Sequence, residues 1–385
     1  MVAIDEIVMT NDLDWELPAD DHEPQQDAAV DDDGQQLYEH FRIEVDRGQQ
    51  PLRIDKFLAE HIPHSSRNRI QQAADAGFVF VTPMADGERQ RVGSSAGMAK
   101  AVKSNYKVRA GDVVTLMLNR PHYDTTIEPE DIPLDVVYED DELMVIDKPA
   151  GLVVHPGVGN FHGTLVNAIA WHLRSLPTYD PNDPQVGLVH RIDKDTSGLL
   201  VVAKTPEAKS NLGLQFFNHE THRSYLALVW GHFQEDNGRI EGNIGRDPRD
   251  RQRMAVFPPD SDTGKPAVTH WKVLERYGYT TLIECRLETG RTHQIRAHMR
   301  HIGHPLFCDE RYGGTEILRG ERSSTYKAFI HNCFSLCPRQ VLHAHTLGFV
   351  HPTTHQQMDF ISELPSDMAA VINKWRNYVG VGTKP

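Results

Sequence analysis

The chain has 385 residues, 39% of them hydrophobic and 24% charged, a composition that excludes collagen-like, coiled-coil and wholly disordered proteins. Its length favours two or three folded units over one. A formal charge of −14, from 54 acidic and 40 basic residues, argues at face value against a nucleic-acid partner, because phosphates repel an acidic surface.

The distribution of that charge alters its meaning. Residues 1–40 hold thirteen Asp or Glu and no Lys or Arg, which leaves the body of the chain, 41–385, at −1. Residues 1–46 carry Trp15 and Leu17 as isolated apolar points and bury too little surface to offset ordering entropy. They are expected to form a disordered acidic tail that screens a basic surface, binds a partner or simply solubilises the chain. The N-terminus lacks the basic and apolar stretches of a secretory signal, and no run of about eighteen apolar residues suggests a membrane span. Four cysteines, at 285, 308, 333 and 337, are too few for a disulfide framework. A soluble, cytoplasmic monomer without membrane contact is expected.

From 47 to 118 a small basic module follows, with eleven Lys or Arg against six Asp or Glu between 51 and 120. Ile54, Phe57, Leu58 and Ile62 have helical spacing, and Ser66 reads as the N-cap of a second helix through Ile70 and Ala74. Phe78–Val81 reads as a strand, and Lys107–Asp112 as strand and turn leading into another strand at 113–118. Arg53, Lys56, Arg67, Arg69, Lys107 and Arg109 fall near the helix starts and the final turn, where they would line one basic face. A solvated face without a partner is the alternative. The runs RIDKFLAEHIPHSSRNRIQQAADAGFVFV and KSNYKVRAGDVV resemble an S4 RNA-binding domain, with a longer insertion at 82–104 in place of a short turn. That resemblance implies structured RNA as the partner.

Pro121 and Pro129, among acidic residues, mark 119–132 as a linker to a larger domain at 133–385. There Leu199–Ala203 is continuous enough for a buried strand, while 224–229 and 282–287 alternate as half-buried strands do. Strands this numerous without regular intervening helices predict an α+β fold on a mostly antiparallel mixed sheet. Ser366, the stripe Met368, Val371, Ile372 and Trp375, and Gly380 mark the start, apolar face and end of a last helix.

Two polar runs stand in apolar surroundings. In GLVHRIDKDTSG, residues 187–198, Asp193 is a carboxylate on a turn feeding a buried strand; a structural salt bridge or turn cap is the ordinary explanation of such a residue. In LETGRTHQIR, residues 287–296, a helix expected over 293–302 starts beside Arg291 and Thr292 and carries Arg296, a setting suited to an anion. No dinucleotide or P-loop fingerprint occurs, so no cofactor is expected. The histidines at 293, 298, 301 and 304 are irregularly spaced, and His331, Cys333 and Cys337 form half a zinc motif at most, so no metal is expected either.

With KPAGLVVHPG (148–157), RSYLALVWG (223–231), IGRDPRDRQRMAV (244–256) and LHAHTLGFVHP (342–352), these runs resemble the RluA-type pseudouridine synthases in order, spacing and residue type. The S4-like module adds a resemblance to the RluD subgroup, which acts on large-subunit (23S-type) ribosomal RNA. Transfer RNA as target, or a non-catalytic ribosome-assembly factor, are the alternatives. The resemblance implies an isomerase in which Asp193 is the nucleophile or base, Arg296 pairs with it and Tyr225 stacks on a flipped uracil. Ile295 would lie under the ring and Arg191 would help hold the nucleotide. His190, Arg291 and Thr292 would contact substrate, and Arg246, Arg249 and Arg251 would grip RNA from a hairpin. Arg223 stands where the family more often has Lys.

Overall fold

Charged side chains alternating with Phe41 and Ile43 make Tyr38–Glu44 a half-buried strand, β1. In this computed structural model the described residues are 38–62, 65, 67–83, 99–118, 127–157, 160–181, 183 and 185–382. The tail to residue 37, the insertion at 84–98, the linker at 119–126 and Ser66 lie outside them, as do the side chains of Arg69 and Arg251. The chain divides into two units at Thr125–Thr126.

In the smaller unit, β2 (Leu52–Arg53) leads into helices α1 (Ile54–His61) and α2 (Arg67–Asp75). Strands β3 (Val79–Thr82), β4 (Lys100–Ala101), β5 (Lys107–Val108) and β6 (Val113–Leu118) follow. The sheet order is β1-β6-β3-β4, and β2 pairs with β5. Ile54, Phe57, Leu58, Ile70 and Ala74 are buried against Val79, Val81 and Val114, as their spacing predicts. The acidic tail was expected to extend to residue 46. Instead β1 pairs antiparallel with β6, and Phe41 and Ile43 pack on this core, because two alternating apolar residues suffice to cover a sheet edge.

The larger unit opens with β7 (Val136–Glu139), β8 (Leu143–Lys148), α3 (Leu165–Leu173), β9 (Ser197–Ala203) and α4 (Pro206–Phe217). A run of strands follows: β10 (His222–Trp230), β11 (Asn237–Asp247), β12 (Asp250–Phe257), β13 (Lys265–Arg276) and β14 (Thr280–Leu287). The chain continues as α5 (Gln294–His301), α6 (Ser324–Leu336), β15 (Leu342–Val350), β16 (Gln357–Ile361) and α7 (Ser366–Gly382). One sheet of ten strands runs β12-β11-β13-β14-β10-β15-β9-β8-β7, with β16 on β15. Its one parallel pairing among the described strands, β15 with β9, is flanked by antiparallel ladders, so the fold is α+β on a mixed, mostly antiparallel sheet.

Helices α3 and α5 belong to one hydrophobic core, with Ile169, Ile295 and Met299 packed among Tyr225, Ile283 and Leu200. A second core gathers Trp230, Phe307, Ile330 and the α7 stripe, whose Met368, Val371, Ile372 and Trp375 are fully buried. Two expectations need adjustment. Helix α7 runs two residues past Gly380, since a glycine weakens a helix without ending it. Residues 127–132 are not a linker: Ile127 sits in the main core, and Asn167 Nδ2 donates to Glu128 O at 2.8 Å while Glu130 N donates to Asn167 O at 3.0 Å.

Candidate active site

The GLVHRIDKDTSG run is a loop fastened to β9 from both ends. Gly187, at φ 79°, lies so close to β9 that a Cβ would sit 2.0 Å from Ala203 O, so the approach requires glycine. His190 Nε2 accepts from Val201 N at 3.0 Å. Beyond the loop's apex, Thr196 N donates to Asp193 O at 3.1 Å. Lys148, with no exposed surface, donates its three protons to Pro149 O, Leu152 O and Lys194 O at 2.8 to 2.9 Å. Burial lowers this lysine's pKa to about 7, with the nearby Asp195 and Asp193 carboxylates opposing that shift. The backbone on either side of Asp193 is therefore held, and its carboxyl is left to face a cleft of about 350 Å³.

Arg296 reaches the same cleft from α5. Its Nη1 donates to Asp193 Oδ2 at 3.0 Å. The rest of the guanidinium is bound behind it: Nε donates to Asp309 Oδ2 at 2.7 Å and Nη2 to Asp309 Oδ1 at 2.9 Å. Asp309 is fully buried and also accepts from Tyr312 N at 3.2 Å. A bidentate carboxylate fixes both the position and the plane of an arginine. The Tyr312 ring, 5.0 Å from the guanidinium carbon, supports its face.

Burial pushes the Asp193 pKa up, but His293, Arg296 and Arg191 outweigh it and hold the carboxyl below its ordinary value. Arg296 and Arg191 do this at neutral pH, because burial brings the His293 pKa down to about 4 and leaves that imidazole neutral. Tyr312 Oη accepts from Met254 N at 2.8 Å and is hydrogen-bonded to His293 Nδ1 at 3.0 Å. His293 itself has φ 52°, a left-handed conformation that turns the chain into α5.

Tyr225, on β10 between Cys285 of β14 and Ala344 of β15, is 7% exposed and lines the cleft. Burial raises its pKa, so it stays a neutral phenol. Ile295, Arg191, Arg291, Thr292 and His190 also line the cleft, so every expected substrate contact lies in one place. Arg191 is exposed at its mouth, and Arg291 is tied down by Nε donating to Pro266 O at 3.1 Å. The α5 start is less open to an anion than its composition suggests. Gln294 accepts from Arg291 N at 3.0 Å and Thr289 Oγ1 at 2.9 Å, and donates to Val268 O and Thr269 Oγ1.

The expected RNA-contacting residues divide differently. Arg53 and Arg67 do not project freely from the helix starts, because both pair with the buried Asp55 at 3.0 Å, which also accepts from Gln71 Nε2. Lys56, Lys107 and Arg109 are exposed. On the β11–β12 hairpin Arg249 is exposed and Arg246 half-buried, while Arg253 is neutralised by Asp247 and Asp250 at 3.4 and 3.0 Å. Asp309 and Tyr312 lie outside every run that carries the resemblance, and Lys148, though it opens the KPAGLVVHPG run, gains no role from it. Asp309 opens the short charged run Asp309-Glu310-Arg311, which reads as a solvated turn.

Residues 142–301 match the model of the RNA pseudouridylate synthase family. An uncharacterized RNA pseudouridine synthase of Chlorobaculum parvum is 43% identical over 335 residues, covering 87% of this chain and 97% of that protein. Ribosomal large subunit pseudouridine synthase D of Nitrosomonas europaea is 44% identical, covering 85% of each chain. A solved structure of human RNA pseudouridylate synthase domain containing 1 is 23% identical, with a TM-score of 0.46 over 66% of this chain and 98% of that one. Identity at this level across both units, with an ionised carboxylate paired to arginine in the cleft, makes the chain a member of the RluA-type RNA pseudouridine synthases, enzymes that isomerise uridine in RNA.

Proposed function

We propose that the chain isomerises specific uridines of large-subunit ribosomal RNA, with Asp193 as the reacting carboxylate. The observation that carries this reading is the Asp193–Arg296 pair at 3.0 Å, kept ionised in a cleft that also holds the neutral Tyr225 ring. Pseudouridylation breaks the C1′–N1 bond, turns the uracil in place and rejoins it through C5. Whether the carboxylate attacks C1′ or removes a sugar proton, it must be charged before the base leaves, and Arg296 secures that charge. A paired uridine is out of reach, so the base is extruded at a cost of a few kcal/mol. Stacking on Tyr225 offsets this by about 1 to 3 kcal/mol.

The ribosomal target is supported by the relative from Nitrosomonas europaea, whose name specifies the large subunit. The smaller unit supplies the sequence-independent grip: Lys56, Lys107 and Arg109 project from a fold resembling S4 domains and would meet phosphates there. Pseudouridine mapping in total RNA from cells with and without the protein tests the target. Sites lost from large-subunit RNA support the proposal. Sites lost only from transfer RNA, or no lost site, contradict it.

A further inference from the structure

Besides Arg191 and Arg291, the cleft contains a cation that the catalytic pairing does not use. Arg223, near the start of β10, lines it beside Tyr225, yet its Nε is buried without a hydrogen-bond partner and, among the described residues, no carboxylate pairs with its guanidinium. Its counterpart Arg296 has two carboxylates. The Arg223 guanidinium carbon lies 5.0 Å from the Phe216 ring, and Nη1 lies 3.4 Å from where a Cβ on Gly290 would stand. Phe216 also stacks on His190, at 4.4 Å between ring centroids. His190 uses Nε2 to accept from Val201 N, so its proton is on Nδ1, and Nδ1 is likewise buried with no partner. Two N–H donors, one charged, thus flank one aromatic ring in the cleft, both lacking an acceptor.

We infer that Arg223, assisted by His190 Nδ1–H, is the anion-binding pole of the cleft and holds a backbone phosphate of the RNA next to the target nucleotide. Arg223 is half-buried and its Nε is cut off from water; a partly desolvated guanidinium without a counter-ion is costly, and an incoming phosphodiester supplies both the charge and the acceptor oxygens it lacks. Asp193 cannot serve, because its carboxylate already binds Arg296. Burial lowers the Arg223 pKa, as expected for a charge awaiting its partner. The cleft then has two poles: Asp193 with Arg296 for the sugar and base, Arg223 for the phosphate. The identity of the anion rests on the RNA substrate proposed above.

The test compares binding of the dinucleoside phosphate UpU with that of its uncharged methylphosphonate counterpart by titration calorimetry on the full chain. Wild type should bind UpU at least tenfold more tightly. Arg223→Gln should bind both equally, and Arg223→Lys should retain part of the preference, with circular dichroism confirming that each is folded. Wild type without a preference, or Arg223→Gln with the wild-type preference, overturns the inference. Asp193→Asn should keep the preference whether or not it abolishes isomerisation, so this inference and the catalytic proposal fail separately.

Discussion

Arg296 gives two of its guanidinium nitrogens to Asp309 and the third to Asp193, so a fully buried carboxylate aims the cation that serves a partly exposed one. Asp309 thereby sets the geometry of the site without facing the substrate. Asp309→Asn keeps the shape but weakens the clamp, and misplacing a group by about 1 Å costs on the order of 10²-fold in rate. We expect kcat to fall by about that factor with KM nearly unchanged, and stability to fall by about 3 kcal/mol, as when one partner of a buried pair is removed. Steady-state kinetics below the unfolding transition check this; an unchanged kcat would show that Arg296 holds its place without Asp309.

With Asp193 as the proposed reacting carboxylate, the same pair is expected to set the acid limb of the pH profile. Asp193 is held below its ordinary pKa of 3.8, so it stays charged, and kcat/KM should be insensitive to its titration down to about pH 5. Arg296→Gln removes the cation but not the burial, so the carboxyl pKa rises and the acid limb moves toward neutral pH. For stability the sign is that of any depressed carboxylate: the pair's contribution is complete above the unfolded pKa and disappears as pH falls through the folded value. An acid limb that stays in place in Arg296→Gln would contradict this account.

Tyr225 is expected to contribute a ring more than a hydroxyl. Its phenol is neutral at pH 7, so Tyr225→Phe should bind RNA within about threefold of wild type. Tyr225→Ala loses the stacking surface and should bind about tenfold more weakly or worse, at a cost of about 1 to 3 kcal/mol. Equal binding by the Ala and Phe variants, read by filter binding, would remove the stacking role.

In the smaller unit the internal ion pairs and the exposed cations should separate by experiment. Asp55 is buried, and although burial raises its pKa, hydrogen bonds from Arg53, Gln71 and Arg67 bring it far below the usual carboxylate range. Asp55→Asn should therefore cost about 2 kcal/mol above pH 5, less than a fully buried pair because Arg53 and Arg67 are 41% and 47% exposed. Replacing Lys56, Lys107 and Arg109 with Gln should leave stability unchanged and lower the salt slope of RNA binding by about 2 to 3. A triple variant with the wild-type slope would show that this face does not contact RNA.

Much of this was legible where local chemistry decides the structure. The helical spacing of Ile54, Phe57 and Leu58, the apolar run at 199–203 and the α7 stripe lie where periodicity puts them. Asp193, Arg296 and Tyr225 are expected together from the resemblance of their runs to one family, and the fold brings them to one cleft from a loop, a helix and a strand. The failures concern pairing over distance. Asp309 is separated from Arg296 by thirteen positions, and nothing in its neighbours Cys308 and Glu310 shows that it will be buried. Arg53 and Arg67 look like exposed cations until the helix pair brings both to Asp55. Tyr38–Glu44 is too short and too charged to separate from an acidic tail until β6 is there to pair with it.

In the proposed reaction Asp193 is the group whose charge starts the isomerisation. The most direct test is release of tritium from large-subunit ribosomal RNA labelled at C5 of uridine, comparing wild type with Asp193→Asn under single-turnover conditions. Release by wild type, with none from an Asp193→Asn protein that folds and still binds the RNA, is the predicted result. Release by Asp193→Asn at a rate near that of wild type would contradict it.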